Sequence, residues 1–377
     1  MVYLDHAATT PVPKAVADVM YRVLTETFGN PSSQYPLGRD AAALVERSRR
    51  TVAEALGCAP ERFVFTSCGS EADNWAISLA ARQGRHIGRH IITTAVEHSA
   101  VLEPCRLLEQ DGWTVTYLKP DRLGRVTAEQ VADALREDTV LVSMMLVNSE
   151  TGNVYPIRAV ADALRARGSK ALLHTDAVQG FLKLPFTPDE LGADLVSVSG
   201  HKIGAPKGIG GLYVGPRCRA PRPLIAGGGQ EMGLRSGTEA TAQIAGFAKA
   251  VELRLEDRAE KERHMRQIRD YAFEQLAAID GVVPLGTHEA PHIIAFSLVG
   301  YPSANAVNEL GAQGVCVSAG SACHKGKPSH VYAAMGLDKR TAGGALRISI
   351  GPDTTQSDID AAVAALRAHR DTRFPML

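Results

Sequence analysis

The sequence is notable first for what it lacks. No apolar run approaches the ~18–20 residues needed to span a bilayer, so a membrane-embedded chain is not expected. Lys and Arg balance Asp and Glu at 41 each. A neutral chain carries no general field for nucleic acid or an anionic membrane, so neither is an expected partner. The start, MVYLDHAATT, has neither the basic nor the apolar region of a signal peptide, and the expected location is cytoplasmic. The six cysteines, Cys58, Cys68, Cys105, Cys218, Cys316 and Cys323, are too few for a disulfide framework in 377 residues. None forms a C-x-x-C pair, so no zinc or iron–sulfur site is expected. Repeats, low-complexity tracts and disordered linkers are also missing.

What is present is alternation. Short apolar, β-branched runs at 62–66, 90–94, 114–118, 140–147, 171–176, 195–199 and 211–214 are separated by amphipathic stretches at 39–56, 71–83, 100–110, 128–135 and 157–167. This pattern predicts an α/β fold with a mostly parallel sheet covered by helices. After Val251 the texture changes. A long charged helix is expected over 253–276, its charges forming a solvated face. Strands at 292–298 and 314–318 and helices at 303–313 and 356–368 follow, read as a smaller α/β unit. The expected division is a large domain over 15–252 and a small domain built from 1–14 and 253–377.

Sites in such sheets gather at the carboxyl ends of strands, and these strand exits are rich in polar residues. The run LVSVSGHK ends at Lys202, and ALLHTD ends at Asp176. Taken singly they read as a surface lysine and a capping aspartate. Together, an amine and an acid at nearby strand exits suit pyridoxal phosphate. The amine forms a Schiff base with the aldehyde, and the carboxylate keeps the pyridinium nitrogen protonated.

Other exits fit the same chemistry. The segment TSCGSEAD brings Gly69 and Ser70 to a helix N-terminus, a place for a phosphate. His98 follows the next strand, and a flat imidazole there can stack on a ring and move protons. Asn148 leaves a further strand, and Gln179 follows Asp176 closely enough to donate to a ring oxygen. Ser199 and His201 flank Lys202 within reach of a phosphate. The glycine-rich segment AGGGQEMGLRSGT must be a loop, and its Arg235, Ser236 and Thr238 are further phosphate candidates, those of a neighbouring subunit included. In VSAGSACHKGKPS, Cys323 stands beside His324, Lys325 and Lys327, whose charge favours a nucleophilic thiolate. Arg347, inside the apolar run ALRISIG, needs an anionic partner, and a substrate carboxylate would serve.

The combination of HTDAVQ, SGHK, GGGQE, RSGT, GSAC and RISIG, with YLDHAATT and GNPSS nearer the start, resembles the cysteine desulfurases over nearly the whole chain. These are pyridoxal phosphate enzymes of the class V aminotransferase group. The resemblance implies a fold type I architecture with a mostly parallel seven-stranded sheet, a homodimer with shared sites, and conversion of L-cysteine to L-alanine. It implies that Lys202 carries the cofactor and moves protons. Asp176 pairs with the ring nitrogen, Gln179 meets the ring oxygen and His98 stacks on the ring. Gly69, Ser70, Ser199 and His201 would hold the phosphate, with Thr238 reaching over from the partner. Asn148 and Arg347 would grip the substrate carboxylate. Cys323 would take the sulfur as a persulfide and hand it to an acceptor protein.

Three departures stand out. Cys68-Gly69-Ser70 replaces the family's usual Gly-Ala-Thr, with the hydroxyl kept. Met232 stands where a basic residue is common. The stretch from Cys323 to Ser329 is about two residues shorter than in members with a long cysteine loop, and each extended residue spans at most ~3.3–3.6 Å. Two other readings are a selenocysteine or other C–S lyase on the same fold, and a non-catalytic scaffold. Cys323 in GSAC argues against the first, and the presence of Lys202 and Asp176 against the second.

Overall fold

The computed structural model describes residues 1–320, 329–373 and 375. The chain opens with strand β1 (Val2–Tyr3), then helices α1 (Lys14–Thr25) and α2 (Pro36–Leu56). The main alternating run is β2 (Phe63–Thr66), α3 (Gly69–Gly84), β3 (His90–Thr94), α4 (Ser99–Gln110), β4 (Thr114–Leu118), α5 (Ala128–Ala134), β5 (Thr139–Ser143), α6 (Ile157–Ala166), β6 (Leu172–Asp176), α7 (Pro188–Leu191), β7 (Leu195–Ser199) and β8 (Gly210–Val214). It is followed by α8 (Thr241–Leu255), α9 (Arg258–Ala277), β9 (Val282–Pro284), β10 (Ile293–Leu298), α10 (Ser303–Ala312), β11 (Val315–Cys316), α11 (His330–Ala334), α12 (Lys339–Gly343), β12 (Ala345–Ser349) and α13 (Gln356–Thr372).

Seven strands form one sheet in the order β2-β8-β7-β6-β5-β3-β4. Only β8 runs antiparallel to its neighbours. The inner strands are buried along their whole length, as expected when helices cover both faces, whereas edge strand β4 is partly exposed. Register places Thr66 and Ser199 on either side of Gly210. A side chain at Gly210 would come within 2.7 Å of the Cys68 backbone, so a glycine is what lets the exits of β2 and β7 approach. The exits of β2, β3, β6 and β7 lie at the same end of the sheet.

A second core forms from β10, β12, α9, α10 and α13, where Met265, Ile294, Leu310, Ile348 and Leu366 pack together. Leu4 from the N-terminal segment belongs to it. Residues 5–10 then run back to the large sheet. His6 N–H donates to the Ser349 carbonyl at 3.1 Å, Ala7 N–H to Ser349 Oγ at 2.9 Å, and Thr10 N–H to the His201 carbonyl at 3.0 Å. Among the described residues no helix is long and apolar enough to cross a membrane.

Two expected elements differ. The strand expected over 140–147 ends at Ser143. Met144 and Leu146 still donate to carbonyls of β6, but the Met145 N–H, which faces β3, donates to the Glu97 carboxylate instead. The helix expected over 253–276 is broken between α8 and α9, with Asp257 in the left-handed region at φ 50°. Val251 before the break packs in the core of the large sheet, and Met265 after it packs in the second core. One straight helix cannot serve both. The Lys261 ammonium caps the broken end by donating to the Leu253 and Glu256 carbonyls at 2.8 and 2.6 Å.

Candidate active site

The strand exits surround a cavity of about 330 Å³. Of the residues singled out in the sequence, Gly69, Ser70, His98, Asn148, Asp176, Gln179, Ser199, His201, Lys202 and Arg347 all line it. Thr238 does not. It is exposed and lies off the cavity of its own chain. Cys323, with His324, Lys325 and Lys327, lies outside the described residues.

Lys202 sits in a short turn directly after β7. Its Nζ donates to the carbonyls of Ala7 and Ala8 at 2.7 and 2.8 Å. The stitched N-terminal segment therefore supplies the seat of the lysine amine. Asp176 ends β6, and its Oδ1 accepts from the Val178 N–H at 2.9 Å. Burial and the neighbouring Asp73 push its carboxyl above the usual range, against the pull of His98.

His98 is the N-cap of α4, with Nδ1 accepting from the Ala100 N–H at 3.1 Å. Although the residue is exposed, the ring's position against the cavity wall lowers its pKa, opposed by Asp176 and aided by Lys202. His201 is held down to about 4 by burial and by Lys202, and so is neutral near pH 7. Gly69 and Ser70 open α3, a helix of 16 residues whose first N–H groups have no partner within the helix.

Asn148 and Arg347 are more committed than their sequence suggests. The Asn148 Oδ1 accepts from the Glu150 and Thr151 N–H groups at 2.8 and 2.9 Å, and its Nδ2 donates to the Val96 carbonyl at 3.1 Å. Arg347 is 3% exposed. It donates to the Ser149 carbonyl at 2.6 Å and to Asp5 at 2.8 Å, while its buried Nε has no partner among the described residues. The other two phosphate candidates are placed elsewhere. Arg235 pairs with Glu71 at 2.9 Å and Ser236 is buried. The glycine-rich segment is pinned by Glu231, whose carboxylate accepts from Arg49 at 2.6 and 2.8 Å and from the Phe65 N–H at 2.7 Å. Nothing in the structure explains a methionine at the exposed position 232.

Several residues of the site were not singled out from the sequence. Glu97, fully buried, accepts from the Met145 N–H at 3.0 and 3.1 Å and from Thr94 at 2.8 Å, and burial pushes its carboxyl to about 8. Asp73, one turn into α3, is pushed by burial to about 7. Behind it His174, held down to about 4 by burial, bridges Ser143 and Ser197 at 2.8 and 3.0 Å. His330 lines the cavity opposite, with Nε2 2.9 Å from the Glu97 carbonyl. The one signal that pointed to Glu97 was its place next to His98 at a strand exit.

The donor set fits pyridoxal phosphate. A buried acid whose carboxyl is raised wants a cationic partner such as a protonated ring nitrogen. An amine faces the same cavity, and the N-terminus of a long helix with two nearby polar side chains offers an anion site. Among the described residues no group of His, Cys, Asp and Glu is arranged to hold a metal ion.

Known proteins resemble this chain over nearly its whole length. The family model for class V aminotransferases matches residues 2–362. The chain is 40% identical over 364 residues to the cysteine desulfurase IscS of Dictyoglomus turgidum, covering 95% of this chain and 92% of the relative. Among solved structures it superposes on a NifS-like protein with a TM-score of 0.92 at 35% identity, over 99% of this chain and all of the other. It superposes on SspA in complex with cysteine with a TM-score of 0.81 at 34% identity, over 94% and 100% of the two chains. With relatives at this identity over nearly its full length, and a fold type I sheet whose exits meet in one cavity, the chain belongs to the cysteine desulfurases of the class V aminotransferase family.

Proposed function

We propose that this cysteine desulfurase binds pyridoxal phosphate in the cavity, converts L-cysteine to L-alanine there, and keeps the sulfur as a persulfide on Cys323. The observation that carries the reading is the convergence of Lys202, Asp176 and the N-terminus of α3 on one cavity. When bound, the cofactor supplies an electron sink for a carbanion at the substrate Cα.

The chain's own residues would do the rest. Asp176 holds the ring nitrogen, and His98 covers one face of the ring. The N–H groups of Gly69 and Ser70, with the side chains of Ser199 and His201, hold the phosphate. Arg347 and Asn148, which both line the cavity, orient the substrate carboxylate. The Lys202 amine takes and returns the proton at the substrate Cα. The Cys323 thiolate attacks the substrate sulfur, the Cβ–S electron pair stays with carbon, and carbon takes up a proton. The thiol and cysteine thus become a persulfide and alanine with no external oxidant or reductant.

Chemistry that depends on a free thiolate suits a reducing compartment, and we place the protein in the cytoplasm. We read the molecule as a homodimer whose Thr238 completes the phosphate site of the partner. Supporting this are the exposure of Thr238 and the exposed Tyr21, Leu24, Phe28 and Tyr35 near the start of the chain. Residues 15–252 are read as one domain, and residues 1–14 with 253–377 as the other, in keeping with Leu4 packing beside Met265. The persulfide passes to an acceptor protein.

The test is borohydride reduction of the yellow protein followed by peptide mapping. The label is expected on Lys202, and a label on another lysine overturns the site. Cys323→Ser is expected to bind cysteine and release almost no alanine. Alanine release at the wild-type rate would remove Cys323 from the reaction.

A further inference from the structure

Lys183 follows Gln179 by one turn, is 4% exposed, and has no role in the chemistry above. Its Nζ donates to Gln179 Oε1 at 3.0 Å, the only acceptor it meets among the described residues. His292, also buried, brings Nε2 to 3.3 Å from the same oxygen. The charged groups around Lys183 are Arg254, Lys202 and Arg347, all cations, and together with burial they hold its pKa well below that of an ordinary lysine. His292 is held low in the same way by burial, Lys183, Arg254, Arg347 and His6. A buried amine without a counter-ion is costly, and an apolar side chain is the ordinary occupant of such a place.

The geometry of Gln179 gives the amine a purpose. One end of its amide lies 2.9 Å from the Ala7 carbonyl, which can only accept, so that end is Nε2. The same carbonyl accepts from Lys202 Nζ at 2.7 Å. The amide nitrogen and the lysine amine therefore hang side by side on one oxygen in the cavity wall. The other end, Oε1, is turned toward Lys183 and His292.

We propose that Lys183, together with His292, is a positioning residue that holds Gln179 Oε1 and so presents the amide nitrogen as a donor beside Lys202. This rests on the pyridoxal phosphate reading. In that cofactor the ring oxygen is on the carbon next to the one bearing the aldehyde, so it falls beside whichever amine takes the aldehyde. A donor there stabilises the oxyanion. With Lys183 gone, Oε1 keeps only the longer contact to His292, and the amide nitrogen is held less firmly toward that oxyanion.

The test is a pH titration of the visible absorption of the cofactor-loaded protein. Gln179→Ala and Lys183→Met are each expected to raise the midpoint by about one pH unit, the scale of one hydrogen bond to a charged group. The double variant is expected to raise it no further than Gln179→Ala alone, because Lys183 acts through Gln179. Lys183→Gln keeps a donor and is expected to titrate like wild type. If Lys183→Met does not fold, Lys183→Gln carries the test, and a shift in it as large as that of Gln179→Ala overturns the inference. So does an unmoved midpoint in Lys183→Met, or a double variant whose shift is the sum of the two. A wild-type protein without a visible band overturns instead the cofactor reading beneath it.

Discussion

Asp5 Oδ1 accepts from Nη2 of Arg347 at 2.8 Å, joining the N-terminal segment to β12. The pair does two things at once. It balances a guanidinium that is 3% exposed, and it anchors the segment whose Ala7 and Ala8 carbonyls seat Lys202. Asp5→Asn keeps a weaker acceptor and should cost about 1–3 kcal/mol of stability. It should also raise the KM for cysteine, because Arg347 is less firmly held. Arg347→Lys keeps the charge but loses the fork, and should raise KM by about tenfold with a smaller change in kcat. Thermal melts and steady-state alanine formation check both. An Asp5→Asn protein unchanged in both measurements would remove this pair from the site.

Glu97 sets a pH dependence of stability. Burial holds its proton in the folded chain up to about pH 8, against an ordinary carboxyl value of 4.5. Folding therefore takes up a proton between those limits, and the cost of this carboxyl grows as pH rises through the window. Glu97→Gln stays neutral throughout. Measured on cofactor-free protein, the stability of the variant relative to wild type should rise between pH 5 and pH 8 by a few kcal/mol, the order set by ~1.4 kcal/mol per pH unit. Asp73 and Asp176 interact with Glu97, so the difference reports Glu97 together with its effect on these two carboxyls. A difference that stays constant across the range would mean that the carboxyl ionises normally.

The sequence made the frame of the sheet readable, because β-branched runs such as 195–199 and 114–118 are bounded by turn residues and coincide with β7 and β4. It did not show where 140–147 leaves the ladder. That is decided by a carboxylate reaching across from Glu97, 48 residues away. Nor did it show the break at Asp257, since the charged texture runs on past it, and the two sides differ in which core they meet. Within the site, Lys202 and Asp176 were legible because an acid and an amine at strand exits are unusual. The seat of Lys202 was not, because it is made of backbone carbonyls that carry no side-chain signal. Lys183 and His292 look ordinary in sequence, and only burial shows that they lack a counter-ion.

The family's usual residue at position 69 is Ala, but in this chain Val178 stands where its side chain would go. A Cβ built there would come within 2.8 Å of Val178 and 3.3 Å of Ser199. Val178 follows β6 and Ser199 ends β7, so relief would displace the start of α3 or residues beside Asp176. Gly69→Ala should therefore weaken binding of pyridoxal phosphate by about tenfold, equivalent to ~1.4 kcal/mol, with little change in the melting temperature of the cofactor-free protein. Fluorescence titration of the apoprotein with the cofactor measures the first, and a melt the second. Unchanged affinity would show that Val178 gives way to the methyl group without disturbing the helix end.

In the proposed reaction, delivery of sulfur would depend on the segment between Gly320 and Ser329. Both ends meet Glu150: Ser329 Oγ donates to its Oε2 at 2.6 Å, and a Cβ built on Gly320 would lie 3.1 Å from the same oxygen. Gly320 and Ser329 thus lie at one carboxylate. Three residues along from Gly320 stands Cys323, and each extended residue adds at most ~3.3–3.6 Å, so chain length sets a ceiling on how far a persulfide travels. His324, Lys325 and Lys327, close by in sequence, are expected to favour the thiolate but add no reach. Alanine formation with small thiols alone should then be slow, and one dedicated acceptor protein that approaches closely should stimulate it strongly. Insertion of two residues after Lys327 should raise the basal rate or widen the range of acceptors. Alanine release by wild type and the insertion variant, each with and without acceptor proteins, measures this. Fast turnover of the wild type without an acceptor would show that the length of this segment does not limit the enzyme.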